Sequence, residues 1–274
     1  MKILSLNTHS WLEKDSDQKF KDLVQKILQE DFDFICLQEI NQRLTSPVIE
    51  VDEYFRPTQQ DLDLREDNYA RLLVEALREA GRTYYWSWAY NHIGYDRFEE
   101  GVAVLSKRDF RPHRLQLASQ GQSQAQFDRY ALLAELEQDG SPLTLVSLHT
   151  SWWKKGLEEE WTALTSHLSG LRGSLVLAGD FNSPTNQEGY QMILSDSLDL
   201  VDSHEVAPVR SGEVTILADI DGWEGNQENY KVDHIFLSRD LEALESRVVF
   251  DGEDSPVVSD HFGLSLTFER READ

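Results

Sequence analysis

The chain has 274 residues, with 50 acidic and 26 basic side chains and a formal net charge of −24 at pH 7. This charge repels polyanions and counts against a nucleic-acid partner, although it leaves room for a local basic groove. Because the sequence has no apolar run of membrane-spanning length, no signal-peptide core and no cysteine besides Cys36, it predicts a cytoplasmic protein without a membrane span or an intrachain disulfide.

A strand–helix–strand unit opens the chain. The segments KILSLN (2–7) and DFDFICLQ (31–38) have the apolar composition of buried strands. Between them, apolar side chains recur at helical spacing, at Phe20, Leu23, Val24, Ile27 and Leu28. This pattern predicts two neighbouring parallel strands. A second amphipathic helix is predicted over about residues 68–80, and Gly81 supplies its stop signal.

The rest of the chain is rich in strands. They are predicted over 83–90, 101–106, 130–137, 143–149, a run ending at Asp180, 234–238, 246–250 and 262–268. A tight connection at 138–142 joins two of them into a hairpin. Helices are predicted around 157–171 and from Thr185, which forms a capping box with Glu188. The chain is therefore expected to form one α/β domain over 1–274, with helices flanking two packed sheets.

Polar residues at strand ends are the strongest functional signal. Four close a predicted strand and three precede one: Asn7, Glu39, His149 and Asp180, then Asp233, Asp260 and His261. The end of one strand and the start of its antiparallel neighbour lie at the same edge of a sheet. All seven side chains are therefore expected at one rim, where the sites of α/β proteins commonly lie.

The residue types at this rim indicate a metal-dependent reaction centre. Asp180 and Asn182 are two residues apart, so in an extended chain they face the same side and can hold a water molecule. Asn7, Glu39 and Asp260 offer hard oxygen ligands, which suit Mg²⁺ or Mn²⁺ better than zinc. Taken singly, each residue also fits a turn, an ion pair or a core position. The joint pattern favours a site.

Seven segments resemble the endonuclease/exonuclease/phosphatase superfamily, which includes apurinic endonucleases, deoxyribonucleases, inositol polyphosphate phosphatases and neutral sphingomyelinases. They are LSLNTHS (4–10), LQEIN (37–41), EGVAVLSK (100–107), SLHTSWW (147–153), LAGDFNSP (177–184), VDHIFLS (232–238) and SDHFGL (259–264). The resemblance runs the full length of the chain. The combination of LQE, GDFN and SDH in this order is its most specific part.

This resemblance implies an α/β fold, a four-layered α/β/β/α sandwich of two mixed sheets flanked by helices. It also implies an enzyme that hydrolyses phosphoesters. It implies a Mg²⁺ or Mn²⁺ site at Asn7, Glu39 and Asp260. It also implies catalytic roles for His149, Asp180, Asn182, Asp233 and His261. In these roles Asp180 and Asn182 orient water and bind phosphate, the two histidines bind phosphate or transfer protons, and Asp233 orients His261.

A narrower resemblance concerns NTHSW (7–11), residues 84–107 and SWW (151–153), which are similar to bacterial maltose 6'-phosphate phosphatases. It implies a phosphomonoesterase whose partner is a small anionic phosphoester, here a sugar phosphate. Five residues are predicted to line its pocket: Tyr95, Arg97, Trp152, Trp153 and Trp223. The guanidinium of Arg97 has forked N–H donors, which suit the role of a second phosphate ligand. Core packing of the tryptophans is the open alternative.

Three other functions remain open at this point. A nuclease would need a stripe of basic residues along the phosphate backbone, and here the basic residues are scattered. A sphingomyelinase-like phosphodiesterase would need an exposed apolar hairpin, for which Trp152 and Trp153 are the one hint. A regulatory protein that only binds a partner would have no use for the complete set of predicted catalytic residues.

Overall fold

The structure is a computed structural model that describes residues 1–121, 127–253 and 255–271. Its strands are β1 (Lys2–Asn7), β2 (Phe34–Arg43), β3 (Tyr85–Gly94), β4 (Phe98–Ser106), β5 (Arg111–Ala118), β6 (Arg129–Gln138), β7 (Ser141–His149), β8 (Ser174–Asp180), β9 (Leu200–Asp202), β10 (Val209–Ser211), β11 (Asp233–Ser238), β12 (Leu241–Val249) and β13 (Gly263–Arg270). Its α-helices are α1 (Ser16–Glu30), α2 (Tyr69–Glu79), α3 (Leu157–Leu168), α4 (Glu188–Leu194) and α5 (Ser203–Val206).

The first sheet combines both ends of the chain. Its strand order is β10-β12-β13-β1-β2-β4-β3. β1 and β2 are parallel, as predicted for the opening unit, and α1 forms the crossover between them. β13 pairs antiparallel with β1, which brings the start of β13 to the same edge as the end of β1. Residues near positions 7 and 261 therefore meet at one rim.

The second sheet carries the middle of the chain in the order β5-β6-β7-β8-β11-β9. β6 and β7 form the predicted hairpin, while β7 and β8 are parallel and are linked by α3. β11 pairs antiparallel with β8. This arrangement places the ends of β7 and β8 beside the start of β11.

Three apolar layers hold the molecule together. Val104 of the first sheet and Leu145 of the second lie in the core between the sheets. Leu23 of α1 and Leu73 of α2 pack on the outer face of the first sheet. Leu164 of α3 packs with Ile193 of α4 on the outer face of the second sheet. The structure confirms the α/β class and the four-layered sandwich of two mixed sheets.

Helix length bears on the expected absence of a membrane span. Across the described ranges, no helix is both long and apolar enough to cross a membrane.

Two predicted element boundaries are wrong. The strand that holds Glu39 does not end there, because β2 continues through a bulge as far as Arg43. Thr185 does not cap a helix, because residues 184–187 form a turn closed by Gln187 N donating to Pro184 O at 2.9 Å. α4 begins only at Glu188.

Candidate active site

Two histidines and two carboxylates converge at the shared end of three strands. His149 of β7 is the register partner of Asp180 of β8, and Asp180 is the partner of Asp233 of β11. His149 Nε2 lies 3.5 Å from Asp180 Oδ2, and His261 Nε2 lies 3.8 Å from the same oxygen. The predicted convergence of strand ends thus places two imidazole rings around one buried carboxylate.

The His261 ring is held by Asp233. Its Nδ1 donates to Asp233 Oδ2 at 2.9 Å, which leaves Nε2 directed toward Asp180. Burial opposes a charge on the ring, but the carboxylates of Asp233 and Asp180 outweigh it and raise the pKa of His261 well above 6.5. His261 is therefore a cation at neutral pH.

Asp180 is buried, and both of its carboxylate oxygens accept a hydrogen bond from the protein. The backbone N–H of Asn182 donates to Asp180 Oδ1 at 2.9 Å. Burial raises the pKa of Asp180 to about 7, with the charge of His261 opposing the rise and that of Asp233 adding to it. A carboxylate with this pKa can take up a proton near neutral pH.

His149 has the opposite electrostatic character. Burial lowers its pKa well below 6.5, and the nearby cations Arg129 and His261 lower it further. At neutral pH its ring is uncharged, so it can donate from one nitrogen and accept at the other. The two histidines around Asp180 thus differ in charge.

Asn182 is positioned by a left-handed backbone conformation, with φ 47°. Its Nδ2 donates to Thr150 O at 2.9 Å, and its Oδ1 accepts from Trp223 Nε1 at 3.2 Å. The spacing argument assumed that the chain is extended at Asn182. The left-handed conformation shows that it turns there instead. The turn still brings its amide into the same cleft as Asp180.

A buried charged network supports the loop that carries Asn182. His234 Nε2 donates to the carbonyl of Ser183 at 2.9 Å. The other ring nitrogen, Nδ1, lies 3.1 Å from Lys231 Nζ, which itself donates to Asp202 Oδ2 at 2.6 Å. The same Nδ1 also lies 3.0 Å from Asp202 Oδ2, so Lys231, His234 and Asp202 form one hydrogen-bonded cluster, and Nε2 carries the proton donated to the Ser183 oxygen.

The predicted metal ligands lie beside this centre. A bulge in β2 and a φ of 53° at Glu39 turn its carboxyl toward the cleft. Asn7 Nδ2 donates to Glu39 Oε1 at 2.9 Å and to Asp180 Oδ2 at 3.1 Å. Asn7 is fully buried, and these two hydrogen bonds connect the carboxylates of Glu39 and Asp180. Asp260 lines the same cleft as Glu39.

The donor set fits a divalent cation. Burial raises the pKa of Glu39, and the negative charge of Asp260 raises it further, so a bound cation would relieve a repulsion that the protein leaves in place. Among the described residues, two groups of three side chains also have ligand atoms within 4.8 Å of one another: His9, Glu13 and Asp260, and Asp180, Asp233 and His261. The first group contains the predicted ligand Asp260, whose carboxylate suits a hard cation, whereas the protonated His261 of the second group cannot ligate a metal.

The candidate site opens into a cleft of about 300 Å³. Tyr95, Trp152 and Trp223 line it, as predicted from the sequence. The hydroxyl of Tyr95 donates to Asp221, so the turn between β3 and β4 is joined to the loop before Trp223 across the mouth of the cleft. This contact narrows the opening.

Two predicted pocket residues do not line the cleft. Arg97 lies in the exposed turn between β3 and β4, where its guanidinium sits 4.9 Å from the centre of the Phe98 ring. Trp153 points away from the cleft, and its Nε1 donates to Glu188 Oε2 at 2.8 Å. The structure therefore corrects the expected positions of both side chains.

Several cleft residues were not identified from the sequence: His9, His92, Glu100, Arg129 and Asp221. Arg129 is the most informative, because it is only 3% exposed and its Nε and Nη1 have no hydrogen-bond partner within the described parts of the chain. It begins β6, which pairs antiparallel with β7. A charged residue at the start of such a strand carries the same signal that identified Asp233.

Solved structures with the same fold are numerous. An endonuclease/exonuclease/phosphatase family protein from Leptotrichia buccalis C-1013-b is 27% identical to this chain, with a TM-score of 0.85. The match covers 98% of this chain and 99% of the other. A mannosyl-6-phosphatase from Bacteroides thetaiotaomicron VPI-5482 is 17% identical, with a TM-score of 0.70 and coverage of 98% and 99%. The sulfate-bound catalytic domain of human Nocturnin is 16% identical, with a TM-score of 0.67 and coverage of 99% and 93%.

Sequence comparison identifies the family. No curated protein sequence matched the chain. The sequence profile of the endonuclease/exonuclease/phosphatase family matches residues 11–261. The matched range includes the carboxylates and histidines of the candidate site from Glu39 to His261. The chain belongs to the endonuclease/exonuclease/phosphatase family.

Proposed function

We propose that the protein is a phosphomonoesterase that uses a divalent cation, Mg²⁺ or Mn²⁺, to hydrolyse a small sugar phosphate such as maltose 6'-phosphate. The observation that carries this proposal is Asp180, buried between a protonated His261 and a neutral His149 at the base of a narrow cleft. This arrangement places Asp180, which can accept a proton from water, beside the cation His261, which can bind phosphate. The mannosyl-6-phosphatase with the same fold supports the choice of a sugar phosphate.

Each side chain has a role that its surroundings support. Asp180 Oδ2 accepts the proton of the attacking water, while Oδ1 stays bonded to the Asn182 backbone. His261, held by Asp233, directs its Nε2 proton at the phosphoryl group and gives it to the leaving sugar oxygen as the P–O bond breaks, which balances the water proton taken up by Asp180. When bound at Glu39 and Asp260, the cation would neutralise phosphate charge and stabilise the charge that develops during transfer.

Arg129 provides a further positive group for phosphate. Its buried guanidinium retains two N–H groups without a partner among the described residues. A phosphate monoester offers several oxygens to such a fork, and charge-assisted contacts of this kind are strong in a buried site. We assign to Arg129 the role of second phosphate ligand that the sequence suggested for Arg97.

The dimensions and charge of the molecule support a small substrate. The cleft of about 300 Å³ is at the lower end of typical ligand pockets, and the contact of Tyr95 with Asp221 narrows its mouth. The net charge of −24 opposes the approach of a polyanion. A terminal phosphate on a sugar meets both conditions better than a nucleic-acid duplex.

The test is phosphate release by the purified protein in Mg²⁺, measured on a panel of hexose and disaccharide 6-phosphates. We expect turnover that stops on chelation and returns with the metal. Glu39→Gln should lose activity because one carboxylate ligand becomes neutral, whereas Glu137→Gln, at the exposed far end of β6, should retain the wild-type rate.

Three results would contradict the proposal. Nicking of plasmid DNA with intact sugar phosphates would identify a nuclease. Cleavage of sphingomyelin in vesicles, again without action on sugar phosphates, would identify a lipid phosphodiesterase. A folded protein with no activity on any phosphoester would identify a binding protein.

A further inference from the structure

A second polar group lies in the cleft wall, away from the seven residues of the predicted rim. His92 of β3 and Glu100 of β4 are direct register partners and line the same cleft as Asp180. Glu100 Oε1 lies 3.5 Å from His92 Nε2, which is too long for a strong hydrogen bond. The two side chains are therefore close neighbours that do not form a strong hydrogen bond with each other.

The neighbours of the two side chains fix their positions in the cleft wall. His92 Nδ1 is buried without a hydrogen-bond partner in the described ranges. A side chain at Gly94 would bring its Cβ to 2.9 Å from Glu100 Oε2, so the glycine allows the backbone to pack closely against the carboxyl group. The Phe127 ring stacks on the His92 ring at 4.5 Å and fixes its orientation. Both residues line the cleft, so the pair forms part of the wall that a bound ligand would contact.

The charge state of the pair suits neutral ligand groups. Burial raises the pKa of Glu100 to about 8, with the charge of Glu39 adding to the rise. Burial also lowers the pKa of His92 to about 3, as does the charge of Arg129. At neutral pH both groups are largely uncharged, and each has one donor and at least one acceptor. Hydroxyl groups, which donate and accept, match this pattern, whereas a phosphate does not.

We propose that Glu100 and His92 form a specificity subsite that binds hydroxyl groups of the substrate's sugar ring. The subsite rests on the proposed phosphatase function and extends it, because it distinguishes a polyhydroxylated phosphomonoester from one that carries an apolar group. Arg129 lines the same cleft and marks the neighbouring phosphate position. Glu100 and His92 act in substrate selection and not in the chemical step.

The experiment compares two substrates, glucose 6-phosphate and phenyl phosphate, with wild-type enzyme and with Glu100→Leu and Glu100→Gln. Leucine removes the hydrogen-bonding groups, so kcat/KM for glucose 6-phosphate should fall by about 10–100-fold, mainly through KM. Hydrolysis of phenyl phosphate, which has no hydroxyl group, should not change. Glutamine keeps a donor and an acceptor and should restore most of the lost kcat/KM.

Controls separate this subsite from a purely structural role. Glu137→Leu makes the same chemical change at an exposed position and should not affect either substrate. Thermal melting of every variant checks folding. Equal losses on both substrates in Glu100→Leu, or wild-type rates on both, would overturn the subsite and leave the phosphatase intact. Hydrolysis of phenyl phosphate alone by the wild type would also overturn it. No phosphate release from either substrate would overturn both proposals.

Discussion

Arg129 illustrates what a single buried charge contributes to the candidate site. A guanidinium out of contact with water loses its hydration, and the protein offers it little in return: Nε and Nη1 have no hydrogen-bond partner among the described residues. The ring of Phe127 lies 5.7 Å from its carbon Cζ and supplies a weak contact. Such an unsatisfied cation is costly for folding and useful for binding an anion. This combination is typical of functional sites.

Substitution of Arg129 should therefore weaken activity without unfolding the protein. We expect Arg129→Met to lower kcat/KM for a sugar phosphate by about 10–100-fold, because a charge-assisted contact to phosphate is lost. Arg129→Lys keeps the charge but loses the forked donors, so its kcat/KM should lie between that of Arg129→Met and that of the wild type. Steady-state kinetics and thermal melting provide the measurements. An unchanged KM and kcat in Arg129→Met would show that phosphate does not contact this residue.

The sequence could identify residues whose position followed from strand direction. Asp180 and His149 end apolar strands, and Asp233 begins one, so their convergence could be predicted. Arg129 begins β6 in the same way, but an arginine at the start of a strand does not by itself distinguish a site from a surface ion pair. Arg97 lies in the loop before β4, and its forked donors suit a phosphate. Which way a turn residue points depends on tertiary contacts that a sequence pattern does not contain.

At the level of strands, three bulges shape the rim of the cleft. The pairing register shifts around Gln38 and Glu39 in β2, at Asn91 in β3 and at Leu117 in β5. These irregularities lie next to Glu39, beside His92 and opposite Arg129, respectively. Each bulge inserts one residue and re-aims its neighbours. Strict alternation of apolar and polar residues predicts a regular strand, so bulges of this kind could not be placed from the sequence.

The contact between β7 and β8 depends on Gly179. A Cβ at this position would overlap the carbonyl oxygen of Leu148 in the neighbouring strand. Because His149 and Asp180 follow directly in the two strands, their separation depends on this close approach. The glycine of GDFN is therefore required by backbone packing.

Gly179→Ala should accordingly reduce both stability and activity. Relief of the overlap must push β7 and β8 apart, at a cost of about 1–3 kcal/mol in the free energy of unfolding. The same displacement should lower kcat, because His149 and Asp180 move relative to each other. Denaturant unfolding and kinetics measure the two effects. Gly170→Ala is the matched control, since its Cβ would meet His167 O at an ordinary 3.5 Å. Wild-type stability in Gly179→Ala would contradict this explanation.

For the whole molecule, the buried strands were predicted more reliably than the edge strands. β1, β7 and β8 are apolar runs and were recognised within a few residues. β5 and β10 lie at sheet edges, where β5 is mostly half-buried and β10 is exposed, so their sequences carry no apolar run to mark them. The four-layered arrangement of two mixed sheets followed from the family resemblance, whereas the order of the strands came only from the structure. Hydrophobic patterns reveal which segments are buried but contain little information on which strands pair.

The net charge of −24 gives a final prediction that concerns the whole surface. At about 10 mM salt the Debye length is about 30 Å, so distant acidic groups repel an approaching dianionic substrate, whereas at about 150 mM it is about 8 Å. We therefore expect kcat/KM for a sugar phosphate to rise a few-fold with NaCl over this range, through KM, while kcat stays constant. Parallel measurements in KCl at fixed Mg²⁺ separate screening from specific ion effects. A steady fall in kcat/KM with salt would instead show that the cations of the cleft, Arg129 and His261, control the approach of the substrate.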